Sequence, residues 1–550
     1  MTSVQTPPRA TARTWAALGV LALPMLLLAI DATVLIFAMP GIAADLSPSA
    51  TEQLWIMDIY SFMIAGLLVT MGAVGDRIGK KRLLLIGAVL FTAASVVGAF
   101  ATSSEQLIMA RAFLGMAGAT IMPSTLSLIR AMFIDRAQRR FAIAVWSMAG
   151  TLGAAAGPIV GGWMLEHFWW GSAFLINIPV MVVLLVLGPV LLTESRDPSP
   201  GSLDLASAAM SLVAMLSSVY GLKTLVAGHG TVTGVLCVAV GLAVGAVFVR
   251  RQLRLANPLL DVDLFRARAF RGAVVADLLS IFALIGALWA LTQYLQLVVG
   301  LSPLQAGLWL LPAMVVSAAA AFLAAALVKR ISAAILVTVG LLVAAVGFGL
   351  MLGLTPDSGP VPVIVALSLV SLGGGVGMTL TNDIIMSSAP PARAGRAAAI
   401  SETAYELGTA LGTAILGSVL AAVYRSQLMG DSGAAVVIPP AQLERASATI
   451  AEAITVAGEY PGSAAEVLIT AAQAAFTDAL TTVGVLGSII MVVAAIWTAV
   501  TLRGTSATAD LTRQSGRGSS DQGQADHGLS DHGLSDPGRA DDGQAVSAGR

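Results

Sequence analysis

The chain has 550 residues, of which 57% are hydrophobic and 11% charged, and its mean hydropathy is +0.86. This composition excludes a soluble enzyme or binding domain and indicates a membrane protein. The net charge of −1 gives no reason to expect a nucleic-acid partner. The single cysteine, Cys237, excludes an intrachain disulfide and a thiolate metal cluster.

Apolar segments of about 20 residues follow one another along most of the chain, which is the length that a helix needs to cross ~30 Å of hydrocarbon. They are continuously apolar instead of alternating, so helices are expected and not the strands of a barrel. We predict fourteen spans, at residues 16–39, 54–75, 82–102, 106–130, 141–164, 171–192, 205–225, 233–250, 271–299, 305–328, 333–354, 361–386, 398–423 and 478–502.

The basic residues predict the orientation of these spans. With the N-terminus in the cytoplasm, nearly all of the 30 lysines and arginines fall on the cytoplasmic side, as the positive-inside rule requires. Lys223, Arg425 and Arg445 then lie outside, and Arg111 is the one basic residue expected within the membrane. We therefore expect a multi-pass protein of the cell inner membrane with both termini in the cytoplasm.

Carboxylates within the spans are the most informative feature, because a charge in hydrocarbon is costly and usually has a function. Four such acids are predicted as proton-coupling and substrate-binding residues: Asp31 in span 1, Asp58 in span 2, and Glu402 and Glu406 in span 13. Structural roles as a cap or an ion-pair partner remain alternatives for the two aspartates. A place among the cytoplasmic headgroups remains an alternative for Glu402.

Aromatic residues accompany Asp58 in the second span. Trp55 and Phe62 are three and four residues away and share its helix face, and Tyr60 lies between them in sequence. A carboxylate beside aromatic rings suits a lipophilic cation. These three aromatics are therefore predicted to line the cavity.

The loop after span 2 contains Gly72, Asp76, Arg77, Gly79 and Lys80 within the string GAVGDRIGKKR. Its glycines allow a tight turn between two helices. Asp76 is expected to cap a neighbouring helix, and the basic residues to hold the loop on the cytoplasmic side.

Arg111 lies a few residues inside span 4. Its long side chain could reach the membrane surface, so an interfacial position remains an alternative to a position in the cavity.

Span 5 carries glycines at every fourth position, Gly153, Gly157 and Gly161, with Pro158 between them. This spacing forms one bare stripe along a helix, and the proline removes an internal hydrogen bond. The segment is predicted to be a hinge and a close-packing face.

Glu402 and Glu406 are one helical turn apart in span 13, and Thr409 and Thr413 continue their stripe, with Tyr405 on its flank. Two carboxylates at this spacing cannot easily both ionise in a low dielectric. At least one of them is expected to hold a proton at neutral pH.

Three further polar residues lie in or near the spans. Asp277 and Asp383 lie near cytoplasmic ends and are interpreted as interfacial, and Asn382 is interpreted as a candidate cavity residue.

Two segments lie outside the spans. Residues 424–477 form a long outer connection, whose Ala-rich stretches predict short helices over the outer mouth, with a passive linker as the alternative. The tail from 505 onward is polar and repeats every five residues from Asp521, so it is expected to be disordered. A metal site in this tail is disfavoured because its histidines are too few, and no other metal site is predicted.

The loop string resembles the signature of the major facilitator superfamily, G-x-x-x-D-R-x-G-K/R-K/R. Three further strings, LAIDATV from residue 28, WIMDIY from residue 55 and MPSTLS from residue 122, together with the fourteen spans, are similar to the fourteen-helix drug:proton antiporters of the QacA and LfrA type. The similarity covers roughly residues 15–425.

This resemblance implies an all-α membrane protein with the major facilitator fold. The implied divisions are a cytoplasmic N-terminus (1–14), a six-helix bundle (15–195), two inserted helices (205–250), a second six-helix bundle (251–503) with the outer loop 424–477, and a cytoplasmic tail (504–550). The resemblance also implies that Asp76 and Arg77 belong to a conformational latch. It further implies that Arg111 faces the cavity, where its fixed charge shifts the pKa of neighbouring carboxylates as the proton moves, so Arg111 joins the predicted proton-coupling and substrate-binding residues. The string around Pro158 looks like the antiporter motif of the superfamily.

We therefore expect a monomer that exports small lipophilic cations, namely cationic drugs, dyes and quaternary ammonium compounds, from the cytoplasm in exchange for protons. It is expected to work by alternating access and to need no cofactor. Span 10 lacks the acid that some of these pumps carry there, which puts dication export in doubt. A lipid or cell-envelope intermediate translocase is the main alternative, and a non-transporting receptor or scaffold is a third. The sequence contains no nucleotide-binding loop and no hydrolase motif, so an ATP-driven pump or enzyme is not expected.

Overall fold

The computed structural model describes residues 10–196, 204–226, 230–255, 258–390, 393–430 and 433–503. The prediction of a disordered, repetitive tail falls on residues outside these ranges. The described residues form eighteen α-helices and two short 3-10 helices. The α-helices are α1 Ala12–Leu46, α2 Ala50–Ile78, α3 Lys80–Ala99, α4 Ser104–Met132, α5 Arg136–His167, α6 Ser172–Leu175, α7 Asn177–Leu191, α8 Leu205–Val226, α9 Thr231–Gln252, α10 Arg268–Leu297, α11 Pro303–Leu327, α12 Ala333–Leu350, α13 Pro360–Ser388, α14 Ala394–Met429, α15 Ala434–Val437, α16 Pro440–Ala446, α17 Ile450–Ala457 and α18 Ser463–Thr501.

Fourteen segments in the described part of the chain are long and apolar enough to cross a membrane, which confirms the predicted number of spans. Several helices extend beyond the predicted spans. The last one begins at Ser463 instead of residue 478, because an Ala-rich stretch of high helix propensity precedes its apolar part. The sixth span is divided at Ile176 into α6 and α7.

Helix starts are set by polar caps at the ends of the apolar segments. Ser49 and Glu52 form a reciprocal capping box at the start of α2, and Ser302 and Gln305 do the same for α11. These caps satisfy backbone N–H groups that the helix itself leaves unpaired.

The helices form two six-helix bundles with the same internal pairing. In the first bundle, α1 packs against α5 and α2 against α4; in the second, α10 packs against α14 and α11 against α13. Each bundle has its own large apolar core. The inserted helices α8 and α9 pack mainly against each other, and α8 also contacts α2 and α14.

Two helix pairs join the bundles, α2 with α14 and α5 with α11. We call the end of the molecule that carries residues 433–462 the long-loop end, and the end that carries residues 76–82 the motif-loop end. Several contacts of the two joining pairs lie towards the long-loop end. Ser302 donates a hydrogen bond to Glu166, and a side chain added at Gly162 or Gly307 would collide with backbone atoms of the opposite bundle.

Short helices cover the long-loop end, as the sequence predicts. Helix α17 packs against α16 and α18 and also touches α1 of the first bundle. Arg445 holds the segment together through Glu452 at 2.8 Å and Glu459 at 3.1 Å. The Tyr424 hydroxyl donates to the carbonyl of Ala446 at 3.0 Å, so the segment is tied to α14 as well. The segment therefore contacts both bundles.

Candidate functional site

Charged and polar side chains collect in the interior, on α1, α2 and α4 of the first bundle and on α10 and α14 of the second. Three groups can be distinguished, and each is built around a predicted acid. We call them the Asp31 group, the Asp58 group and the Glu402 group. They differ in whether the acid has a basic partner.

The Asp31 group is a closed network within the first bundle. Arg111 Nη1 lies 2.9 Å from Asp31 Oδ2, and the Asn177 amide donates to Asp31 Oδ1 at 2.9 Å and to Ser95 Oγ at 3.1 Å. Arg111 also donates from Nε to the carbonyl of Ile56 at 3.3 Å and sits 4.4 Å above the ring centre of Tyr60. Since Asp31 and Arg111 are buried, this network joins α1, α2, α3, α4 and α7 of the bundle.

Burial settles the position of Arg111. Its side chain is 2% exposed, so it faces the interior and does not reach towards the membrane surface. The alternative of an interfacial arginine is therefore wrong.

The Asp58 group joins α2 to the inserted helix α8 and to α14. Lys223 Nζ lies 2.8 Å from Asp58 Oδ2, and the Thr413 hydroxyl donates to Asp58 Oδ1. The lysine ammonium also lies 4.2 Å from the ring centre of Trp55. The predicted placement of Lys223 outside the membrane is wrong, because its side chain is 1% exposed and turns from the end of α8 towards α2. The expectation that Arg111 is the one basic residue within the membrane is wrong for the same reason.

The Glu402 group lies on α14 and differs from the other two. Among the described residues, neither Glu402 nor Glu406 has a lysine, arginine or histidine nitrogen within 4.0 Å. Glu406 is buried and approaches Ser61 of α2, whereas Glu402 is half-buried and keeps an accessible surface. Tyr405 is half-buried on the same helix.

Asp277 of α10 belongs beside the Glu402 group, so its interpretation as an interfacial acid is wrong. It is buried, and it accepts hydrogen bonds from the Thr381 hydroxyl at 2.7 Å and the Ser401 hydroxyl at 3.5 Å. Asp383 and Asn382 are exposed.

The predicted aromatics occupy different surroundings. Trp55 is half-buried and lies 6.4 Å from both Phe62 and Tyr220, measured between ring centres. Phe62 is fully buried in a small cluster that α2, α8 and α14 share. Tyr60 is buried under Arg111 in the Asp31 group.

A small cavity lies between the bundles at the long-loop end of the interior. It lies under the short helices, has a volume of about 40 Å³, and is lined by residues that include Gln53, Trp289, Gln293, Tyr424 and Ile450. A cavity needs ~10–15 Å³ of such volume to hold one water molecule, so this space holds a few waters but is too small for a drug. In this conformation the route to the long-loop end is closed.

The motif loop is held by a residue that the sequence analysis did not single out. Gly79 adopts φ 110°, and a Cβ at this position would come within 2.6 Å of the Glu194 carboxylate. Glu194 accepts hydrogen bonds from the backbone N–H of Lys81 at 3.0 Å and of Arg82 at 3.3 Å. The expected capping role of Asp76 is therefore wrong: Glu194 caps α3, while Asp76 pairs with Lys80 at 3.1 Å.

Two further residues of the loop lie outside this contact. Gly72 is half-buried in α2, and Arg77 is exposed at the end of that helix.

The glycine stripe of α5 lies against α1. Side chains added at Gly153, Gly157 and Gly161 would collide with the Leu26 carbonyl, Thr33 and Val34, respectively. Pro158 lies on a different face, where its carbonyl meets Gly307 of α11. Helix α5 therefore packs closely against its own bundle and against the opposite one.

Sequence reasoning missed three residues of these groups, namely Asn177, Lys223 and Asp277. Each is a polar side chain inside or at the end of an apolar span, which is a usable signal. Lys223 and Asp277 were misinterpreted because each lies near the end of a span. Among the described residues, no cluster of three or more His, Cys, Asp or Glu side chains could hold a metal ion.

Comparison with known proteins places this geometry in a family. Residues 21–413 match the model of the Major Facilitator Superfamily. The multidrug efflux pump LfrA of Mycolicibacterium smegmatis is 46% identical over 90% of this chain and 97% of its own length. The methyl viologen resistance protein SmvA of Salmonella typhimurium is 36% identical over 84% of this chain and 93% of its own.

A third relative, the tetracenomycin C resistance and export protein of Streptomyces glaucescens, is 32% identical over 88% of this chain and 91% of its own length. Among solved structures, an inward-facing, unoccupied bacterial homologue of the human lysosomal transporter Spinster superposes with a TM-score of 0.64 at 17% identity. It covers 90% of this chain and 98% of the solved one. The chain thus belongs to the major facilitator superfamily and is a membrane transporter, not an enzyme.

Proposed function

We propose that this chain exports lipophilic monovalent cations from the cytoplasm in exchange for protons. The observation that carries the proposal is the Glu402 group. Two carboxylates, one buried and one with an accessible surface, lie one helical turn apart on a helix that joins the bundles and lack a basic partner among the described residues.

Arg111 acts on Glu406 at longer range, but no basic nitrogen of the described residues lies within ion-pair distance of either glutamate, which leaves both a choice of partners. A buried carboxylate without a counter-ion is stabilised either by a proton or by an arriving cation. A cation that binds would favour release of the proton, and a proton that returns would displace the cation. Exchange by competition needs no nucleotide and no cofactor beyond the proton itself.

The relatives support drugs as substrates, since their names describe multidrug efflux, methyl viologen resistance and tetracenomycin C export. Methyl viologen is a dication, but residues 305–328 of this chain contain no carboxylate. We therefore propose monovalent cations as the preferred class. One-for-one exchange is electroneutral, whereas each uncompensated charge would meet ~2.3 kcal/mol per 100 mV of membrane potential.

The proposed transport cycle follows from the closed long-loop end. We assign this end to the outer face and the motif-loop end to the cytoplasm, because the lysines and arginines concentrate at the latter. Cations then enter from the cytoplasm and leave after the long-loop end opens. All three acidic groups lie within one chain, which supports a functional monomer. We propose that it lies in the cell inner membrane with both termini in the cytoplasm.

Transport by reconstituted protein tests the proposal. Proteoliposomes with an imposed pH gradient are expected to move ethidium in the direction opposite to the protons, and a protonophore is expected to stop this movement. Glu402→Gln and Glu406→Gln should each reduce the initial rate by at least about tenfold, as the loss of ~1.4 kcal/mol of coupling would require. Glu466→Gln, at an exposed position of α18, is the matched control and should retain the wild-type rate.

Wild-type rates in both glutamine variants would refute the proposed role of α14. Movement of a fluorescent lipid instead of ethidium would favour the lipid translocase.

A further inference from the structure

Lys223 is a buried ammonium that the proposed exchange does not use. It lies near the end of the inserted helix α8, and its side chain is 1% exposed. Its Nζ atom is 2.8 Å from Asp58 Oδ2 and 4.2 Å from the ring centre of Trp55. The lysine thus places a positive charge between a carboxylate and an indole face.

These surroundings are what a lipophilic cation requires. A carboxylate supplies the opposite charge, and an aromatic face attracts a cation through its quadrupole. The neighbouring surface is apolar, because Phe62, Val219, Ala410 and Ala414 form a buried cluster beside it. The ammonium of Lys223 therefore occupies a site whose chemistry matches the proposed substrate.

The lysine is paired with a carboxylate that also has a second donor. Asp58 is the one acid within 4.0 Å of Lys223 Nζ among the described residues, and its other oxygen, Oδ1, accepts from the Thr413 hydroxyl. A substrate cation that replaced the ammonium would therefore meet the same carboxylate and the same indole face.

The position of α8 connects this site to both bundles. Helix α8 contacts α2, which carries Asp58, and α14, whose Thr413 hydroxyl donates to the same carboxylate. Gly66 of α2 also lies against Leu212 of α8. The inserted helices thereby bring a charge into the interface between the bundles.

We propose that Lys223 is a tethered cation that fills the Asp58–Trp55 site and competes with cationic substrates for it. The inference rests on the proposed export of lipophilic cations and adds a determinant of specificity. A substrate must bind Asp58 and Trp55 better than the lysine does. Small hydrophilic cations would then be rejected, and hydrophobic aromatic cations accepted.

Binding of tetraphenylphosphonium to the purified full chain tests the inference. Lys223→Met keeps an unbranched side chain of nearly the same length but removes its charge, and should lower the Kd at least about tenfold. Lys223→Arg keeps the competing charge and should stay near the wild-type Kd. Lys329→Met, at an exposed lysine beyond the end of α11, is the matched control and should have no effect. Addition of Asp58→Asn to Lys223→Met should remove the gain.

A folded Lys223→Met protein, judged by size-exclusion chromatography and thermal unfolding, that binds the probe no more tightly than wild type would overturn the inference. If that variant does not fold, wild-type protein provides a second measurement. Saturating tetraphenylphosphonium should raise the rate at which an amine reagent labels Lys223, read by mass spectrometry, and leave labelling of Lys329 unchanged. No increase at Lys223 would also overturn the inference.

Transport by the wild-type protein distinguishes this inference from the proposed function. Tighter binding by Lys223→Met without any proton-driven transport by wild type would support the tethered cation and refute the exchange.

Discussion

The membrane-embedded acids of this protein differ in their partners. Asp31 lies 2.9 Å from Arg111, and Asp58 lies 2.8 Å from Lys223. Glu402 and Glu406 have no such base within the described residues. The arrangement favours a division of roles, in which the Asp31 pair stabilises the first bundle and the glutamates exchange their partners.

The Asp31–Arg111 pair is therefore expected to contribute to stability. Asp31→Asn leaves the Arg111 charge buried without its counter-ion, and should lower the free energy of unfolding by about 3–5 kcal/mol. The double variant Asp31→Asn with Arg111→Met removes both charges and should be less destabilised than Asp31→Asn alone. Thermal unfolding in detergent measures both effects.

The control for this comparison is Glu466→Gln, which changes an exposed acid. If Asp31→Asn unfolds at the wild-type temperature, the pair has no stabilising role.

Sequence reasoning found the four acids but could not assign their partners. Hydropathy identifies a carboxylate within a span from the sequence alone, whereas its partners are set by which helices pack together. Lys223 was misplaced because it lies near the end of a span, where a lysine usually reaches the membrane surface. Only the packing of α8 against α2 shows that this side chain turns inwards.

At the scale of elements, α5 is constrained by close approach to two neighbouring helices. Its glycine stripe faces α1 in the same bundle, and Pro158 faces Gly307 of α11 in the other. A relative movement of the bundles would therefore change the contact between α5 and α11. The spacing of the glycines predicts a close-packing stripe, but the identity of the two neighbours required the structure.

Gly153→Ala tests this packing. The added methyl group would meet the Leu26 carbonyl and lie 2.9 Å from the Ala29 side chain, so the helices would have to separate. We expect a loss of about 1–3 kcal/mol in stability, measured by thermal unfolding, together with slower ethidium transport.

Gly19→Ala in α1 is the matched control, because no atom lies within 4 Å of the added methyl group. This variant should be as stable as wild type or slightly more stable, since alanine has the higher helix propensity. Equal stability of the two variants would show that the stripe is not tightly packed.

The inserted helices are fixed to each other by a polar contact at their motif-loop end. Arg251 Nη2 lies 2.9 Å from Asp204 Oδ1. Partial burial alone would raise the pKa of Asp204, but hydrogen bonds from Arg251 and Ser207 outweigh it and lower the pKa below its usual value. The carboxylate is therefore charged at neutral pH, and the contact persists as an ion pair.

At the scale of the whole molecule, the sequence predicted the fold more completely than the site. The fourteen spans follow from hydropathy, because each must match the thickness of a bilayer. The short helices α15, α16 and α17 follow from Ala-rich composition. The closure of the long-loop end does not follow from composition. It depends on contacts such as that of Glu166 with Ser302, which lie far apart in sequence.

In the proposed cycle, the glutamates of α14 bind protons and cations alternately, and the long-loop end opens to release the cation. The central claim is that both ligands compete for the same carboxylates. Competition has a direct signature, because a cation that binds must release a proton to the solvent.

Proton release on addition of tetraphenylphosphonium to purified protein in weakly buffered detergent solution measures this competition most directly. Wild-type protein is expected to release protons in proportion to the cation bound. The double variant Glu402→Gln with Glu406→Gln is expected to release almost none, while Glu466→Gln behaves as wild type. Undiminished proton release by the double variant would contradict the account.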